Sequence, residues 1–271
     1  MTLRGIWSAA ITPVDQSFEP DGPRAVAYYR DLLNDGIDGI TLLGTNGEAM
    51  SFSVEQRLRL MEAVAAGVPR ERTMCGTGAT ALADAIRLTR AAEELGFVAA
   101  LVMPPFFYRN ASDDGILRFY DSLISATAIP LLLYNFPHMS GITFHPALVG
   151  RLVAEFPRRI VGIKDSSNDA AYQRAVIALY PELSIFQGSE AHLIDALAYG
   201  AAGCISGSVA LWARLAHDVF VERDPSAGAR LDANRTSLES KPLIPQVHAH
   251  VAEQKRDDAW KRVVPPLMPA E

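Results

Sequence analysis

The sequence predicts an α/β protein, a (β/α)8 TIM barrel with a short C-terminal helical region, and three observations carry this expectation. Short apolar runs alternate with longer amphipathic segments from residue 6 to about residue 222. Several runs are apolar nearly throughout, the pattern of parallel strands covered on both faces. A helix-to-strand turn also recurs, at Gly36-Ile-Asp-Gly-Ile, Gly96-Phe-Val-Ala-Ala and Gly200-Ala-Ala-Gly-Cys. A left-handed glycine at such a turn lets the backbone reverse tightly. The 271 residues fit this reading, since α/β barrels routinely use about 250 residues as one domain. An open doubly wound sheet is the structural alternative.

In chain order the candidate strands are Ile6–Thr12, Ile37–Leu43, Thr73–Gly76, Val98–Met103, Ile129–Tyr134, Ile160–Ile163, Leu183–Phe186 and Gly203–Ile205. Helix signals lie between them. Asp21 precedes Gly22-Pro23, after which apolar positions recur at Val26, Tyr29 and Leu33. Ser53 with Gln56 makes a capping box ahead of Leu58, Met61 and Ala65. Thr80 is expected to open Leu82–Leu95, which Gly96 ends. Ser112-Asp113-Asp114 opens Ile116–Ile124, and Glu190 opens Leu193–Tyr199. Glu222-Arg223-Asp224-Pro225 reads as a turn. Residues 1–222 are therefore expected to form the catalytic barrel, and 223–271 a helical appendage of two or three helices.

Composition removes several function classes. Lysine and arginine number 25 against 31 acidic residues, a net charge of −6, with no basic block longer than two residues. A nucleic-acid or membrane-surface partner needs a basic stripe, so neither is expected. Hydrophobic residues at 49% exclude disorder. Cys75 and Cys204 have no second Cys or His at ligand spacing and read as reduced core residues. No window reaches the roughly 18 consecutive apolar residues of a spanning helix, and no secretory pattern opens the chain. The expected setting is cytoplasmic. The six histidines show no metal triad, and no Rossmann or P-loop fingerprint occurs. Neither a metal nor an organic cofactor is expected. His138 lies near the expected barrel mouth, and Glu48 reads as structural.

The chemistry points to a lysine. Only four occur, Lys164, Lys241, Lys255 and Lys261, and the last three lie in the polar C-terminal segment. Lys164 ends the apolar run Ile160-Val161-Gly162-Ile163. Lysine is almost never fully buried unless paired or functional, and desolvation favours the neutral amine that attacks carbonyls. Pairing with Asp165 or another carboxylate is the alternative reading. In a closed barrel the strand ends converge on one mouth. Those ends carry Thr12-Pro13, Gly44-Thr45-Asn46-Gly47-Glu48, Tyr134-Asn135-Phe136-Pro137, Lys164-Asp165, Gly188-Ser189 and Ile205. The Gly44–Gly47 turn offers N–H groups and a hydroxyl to a carboxylate, and Tyr134 offers a proton relay. Together they describe an amine nucleophile, a proton shuttle and an anion cradle.

With G-T-x-G-E, Y-N-x-P, G-I-K-D and a late G-S in order, the chain resembles the dihydrodipicolinate synthase / N-acetylneuraminate lyase family of class I aldolases. The resemblance covers about residues 5–222, and the Pro-Pro-Leu-x-Pro ending is also typical of that family. It implies a homodimer or homotetramer and a Schiff base between Lys164 and pyruvate or another 2-keto acid. It further implies proton transfer by Tyr134, carboxylate binding by Thr45 and the Asn46 backbone, and a pocket lined by Ile205 and Gly188. Three departures stand out. Asn46 replaces a second hydroxyl residue. Met139 stands where lysine-pathway synthases carry an arginine for the aldehyde's carboxylate. Phe107, with Tyr108 beside it, occupies the place of a tyrosine those synthases borrow across a dimer interface. The C-terminal segment is also shorter than usual. The expected function is cleavage or formation of a 2-keto-3-deoxy or 4-hydroxy-2-keto acid, the partners being a small 2-keto acid and an aldehyde. Met139 then argues for a neutral, hydroxylated aldehyde, with His138 and Ser140 as donors to its hydroxyls. Alternatives are 4-hydroxy-tetrahydrodipicolinate synthesis from pyruvate and aspartate semialdehyde, and a non-catalytic barrel that binds 2-keto acids.

Overall fold

Eight parallel strands hydrogen-bond in sequence order and close on themselves, β1 pairing with β8. They are β1 (Gly5–Ser8), β2 (Gly39–Leu42), β3 (Thr73–Gly76), β4 (Ala99–Val102), β5 (Leu131–Asn135), β6 (Ile160–Asp165), β7 (Ser184–Gln187) and β8 (Gly203–Ser206). This is the (β/α)8 TIM barrel expected from the sequence, seen in a computed structural model that describes residues 3–270. The near-continuous apolar runs have a plain cause: each strand is buried on both faces. Residues of one parity, such as Leu131, Leu133 and Ile163, join the large core between strands and helices. Those of the other, including Trp7, Met74, Leu132, Tyr134, Phe186 and Ile205, fill the barrel interior. Gly39 makes room for the Trp7 indole there, since a Cβ at that position would lie 2.4 Å from the ring.

The outer layer comprises α1 (Gly22–Asn34), α2 (Val54–Gly67), α3 (Leu82–Glu94), α4 (Asp113–Ser125), α5 (Pro137–Ser140), α6 (Pro146–Glu155), α7 (Ala170–Leu179), α8 (Leu193–Ala198) and α9 (Ala213–Glu222). Local caps behave as their chemistry requires. Asp21 accepts from the Arg24 N–H, Ser53 and Gln56 form the reciprocal capping box, and Ser112 accepts from the Gly115 N–H. Gly36, Gly96 and Gly200 all have positive φ, as the repeated turn demands. Two expected caps differ. Ala81, not Thr80, precedes α3 and gives no side-chain cap. His192, in the left-handed region, precedes α8. Glu190 is instead fully buried and accepts from the Ser206 hydroxyl at 2.5 Å.

After α9 the chain forms α10 (Pro225–Thr236), capped by Asp224, and α11 (Leu243–Lys255). The remainder crosses back to the barrel mouth. Val247, Val251, Trp260 and Val264 join the main core, and Glu48 Oε2 accepts from the Val264 N–H at 2.7 Å. Fully buried His248 completes this attachment: its Nδ1 meets the Trp260 carbonyl at 2.7 Å and its Nε2 stands 3.3 Å from Glu48 Oε1. Among the described residues, no helix is long and apolar enough to cross a membrane.

Candidate active site

Strand parity aims the lysine. Ile163 faces the helices, so Gly162 and Lys164 face the barrel axis. Lys164 is 1% exposed and lies directly across from Tyr134 in the β5–β6 register. Its Nζ sits 4.4 Å from the centroid of the Tyr134 ring. The Tyr134 hydroxyl is 3.2 Å from Thr45 Oγ1, with either able to donate. Amine, phenol and threonine hydroxyl thus form one line at the C-terminal ends of β6, β5 and β2.

Asp165 does not take the lysine's charge. It accepts from Asn135 Nδ2 at 2.7 Å, from the Ser167 N–H and from the Ser167 hydroxyl. Burial pushes its carboxyl above the usual range, an effect these hydrogen bonds partly oppose. Among the described residues Lys164 has no ion pair. Asn135 also accepts from the Phe144 N–H at 3.1 Å. The Asn of Y-N-x-P and the Asp of G-I-K-D are therefore a clasp between strand ends, a role the sequence reading missed. Both residues sat in motifs already singled out, and their equal distance past Tyr134 and Lys164 was the available signal.

The turn after β2 is held under tension. Leu43 and Glu48, both non-glycine residues at positive φ, bracket it; such strain persists where packing enforces it and gathers at functional sites. The Thr12 hydroxyl donates to the Gly47 carbonyl at 2.8 Å, fixing the turn from β1's side. Gly76 lets the chain pass, since a Cβ there would lie 2.1 Å from the Leu43 carbonyl oxygen. Gly207 similarly admits the Asn46 side chain.

A cavity of about 320 Å³ opens above Lys164. Thr45, Asn46, Tyr134, Met139 and Gly188 all line it, together with Ser189, Arg235 and Leu267. Ile205 lies deeper, fully buried in the interior cluster that holds Tyr134. Ser140 is turned away: it is buried, and its hydroxyl meets the Phe136 and Ile142 carbonyls. The expected Ser140 donor to a substrate is thus spent inside the α5 turn, while His138 stays exposed. Beyond Tyr134 and Thr45 a second, largely apolar cavity of about 410 Å³ runs between Met50, Met103 and Phe106.

The sequence profile described as the dihydrodipicolinate synthetase family matches residues 2–250. The chain belongs to that family. It is 38% identical to an uncharacterized DapA-like lyase of Chloroflexus aurantiacus, over 80% of this chain and 74% of that one. It is 30% identical to a putative 2-dehydro-3-deoxy-D-gluconate aldolase, YagE, of Escherichia coli, over 77% of this chain and 71% of the relative. Among solved structures it is similar to dihydrodipicolinate synthase from Agrobacterium tumefaciens, with a TM-score of 0.92 and 28% identity. That match covers 98% of this chain and 94% of the other. Membership in the dihydrodipicolinate synthetase family places the chain among lyases and aldolases.

Proposed function

We propose that this chain is a class I lyase or aldolase that forms a Schiff base between Lys164 and pyruvate, or a related 2-keto acid. The reaction makes or cleaves a 2-keto-3-deoxy or 4-hydroxy-2-keto acid. The observation that carries this reading is the line Lys164–Tyr134–Thr45, with a buried amine at its inner end that has no ion pair among the described residues. The neutral amine adds to the keto carbon, and uptake of a proton with loss of water gives a protonated imine. Loss of a proton from the adjacent carbon gives an enamine, which attacks an aldehyde carbon whose oxygen takes up a proton. Water then releases the product and restores the amine; cleavage runs in reverse. The Tyr134 hydroxyl carries protons to and from the amine and the aldehyde oxygen, with Thr45 as its hydrogen-bond partner. Thr45 and the Asn46 backbone hold the keto acid's carboxylate.

The non-catalytic binding barrel is the weaker reading, because a pure binder has no use for an unpaired buried amine. Aspartate semialdehyde is disfavoured by Met139, whose thioether offers its carboxylate no charged partner. We place the protein in the cytosol, a reading that its two free, buried cysteines support. The test is borohydride reduction with a panel of 2-keto acids. Pyruvate is expected to leave a reduced pyruvyl group on Lys164 alone, found by intact mass and peptide mapping. Lys164→Arg is expected to take up none, since a guanidinium stays protonated. An adduct on another residue, or none with any keto acid, refutes the mechanism.

A further inference from the structure

The cavity above Lys164 has a charge pattern that the chemistry just described leaves unused. Among the described residues its lining holds one guanidinium, Arg235, besides the Lys164 amine, and no carboxylate. Arg235 reaches it from α10. Its side chain is 16% exposed, and its Nε and Nη1 are buried without a hydrogen-bond partner. It makes a long ion pair with Glu239, 3.8 Å from Nη1, but that carboxylate is 56% exposed and too distant for a hydrogen bond. Buried guanidinium donors are costly to leave unpaired, so such a group needs a partner.

Position says what kind of partner. Arg235 shares its stretch of wall with Asn168, Gly188 and Ser189, which also line an adjoining polar cleft. Thr45 and Asn46 are not part of that cleft. The cleft side holds Asp165, Asp169, Asp195 and Glu239 with only Arg174 and His192 beside them, so an anion is repelled there. On the cavity side it meets Arg235 and no carboxylate. We propose that Arg235 recognises an anionic group, a carboxylate or a phosphate, at the far end of the aldehyde substrate. This rests on the Schiff-base reading of Lys164 and replaces the neutral aldehyde inferred from Met139. The charge missing from α5 is supplied by α10, which removes the argument that Met139 alone made against aspartate semialdehyde.

The experiment compares three-carbon aldehydes with saturating pyruvate: glyceraldehyde, tartronate semialdehyde and glyceraldehyde 3-phosphate. In the wild type at least one anionic aldehyde is expected to exceed glyceraldehyde in kcat/KM by about ten- to hundredfold; which one does so identifies carboxylate or phosphate. In Arg235→Met that ratio is expected to fall to near one. Arg235→Lys is expected to keep part of it, since an ammonium retains charge but not the fork geometry. Arg109 is the rival, its stem resting on Gly141 beside Met139. A ratio near one in the wild type, one that survives Arg235→Met, or one lost in Arg109→Met instead overturns the proposal. The borohydride adduct with pyruvate alone is measured on every variant. Adduct with no discrimination sinks the Arg235 assignment and leaves the Schiff base standing, whereas no adduct in the wild type overturns both. If Arg235→Met fails to fold, the wild-type and Arg235→Lys ratios still decide.

Discussion

Replacing Tyr134 with phenylalanine keeps the ring that packs with Leu132, Phe186 and Ile205 inside the barrel and removes only the hydroxyl. The expected result is an unchanged melting temperature with turnover lowered roughly a hundredfold, a usual size for a general acid–base group. Turnover near wild type would make Tyr134 structural and hand the proton to Tyr108 or water. Such single residues were legible in the sequence when their chemistry contradicted their surroundings. Lys164 was the one lysine outside the polar tail, and Tyr134 ended an apolar run. Arg235 carried no such mark: arginine is this chain's ordinary cation, and α10 mixes polar residues with alanines and a single leucine. Only folding, which lays α10 beside the β6 and β7 loops, makes it part of the cavity. Ser140 failed the other way, since nothing in its sequence context told that the α5 turn would consume its hydroxyl.

Elements are joined at the mouth by the Asn135–Asp165 clasp, and pH reports on it. Burial, the leading cause, holds Asp165's carboxyl above its usual range in the folded chain. The folded state therefore binds that proton more tightly than the unfolded one. The associated stability is fully present below the unfolded value, about 4, and is lost as pH rises through the folded value. Asp165→Asn has no such proton, so its melting temperature relative to wild type is expected to rise between pH 4 and pH 7. Calorimetry across that range at fixed ionic strength checks it, and a flat or falling difference would show that the hydrogen bonds outweigh desolvation. At this scale legibility followed sequence distance. The caps from Asp21, Ser53 and Ser112 bond within a few residues and were readable. Glu190 looked like a cap but bonds to Ser206 on β8, sixteen positions on, and the clasp itself spans thirty. Local spacing does not carry such contacts.

The whole molecule is closed by its C-terminal segment, and two large aromatics, Phe107 and Tyr108, stand exposed on it. His248→Ala removes the buried imidazole between Trp260 and Glu48, leaving a void and a carbonyl without its donor. The expected cost is about 2–5 kcal/mol, or on the order of 10 °C in melting temperature for a chain of this size; a loss under 1 °C would mean the segment is held by other contacts. At the mouth, Phe107 and Tyr108 follow β4 and are 75% and 69% exposed, their rings edge to face at 5.3 Å. Met50 and Met139, both on the wall of the apolar cavity, are half exposed at the same end. Soluble monomers tend not to leave such patches uncovered. The resemblance drawn from the sequence also sets Phe107 where related synthases borrow a tyrosine across a dimer interface. We therefore expect a homo-oligomer built from dimers that bury this face, with one copy's Phe107 beside the apolar cavity of the next. Light scattering at micromolar concentration is expected to return at least twice the 29.4 kDa of one chain. Serine at both 107 and 108 is expected to lower that mass. A mass of one chain for the wild type would count against the assembly. An oligomer indifferent to both substitutions would move the interface elsewhere and leave the two aromatics to the substrate entrance.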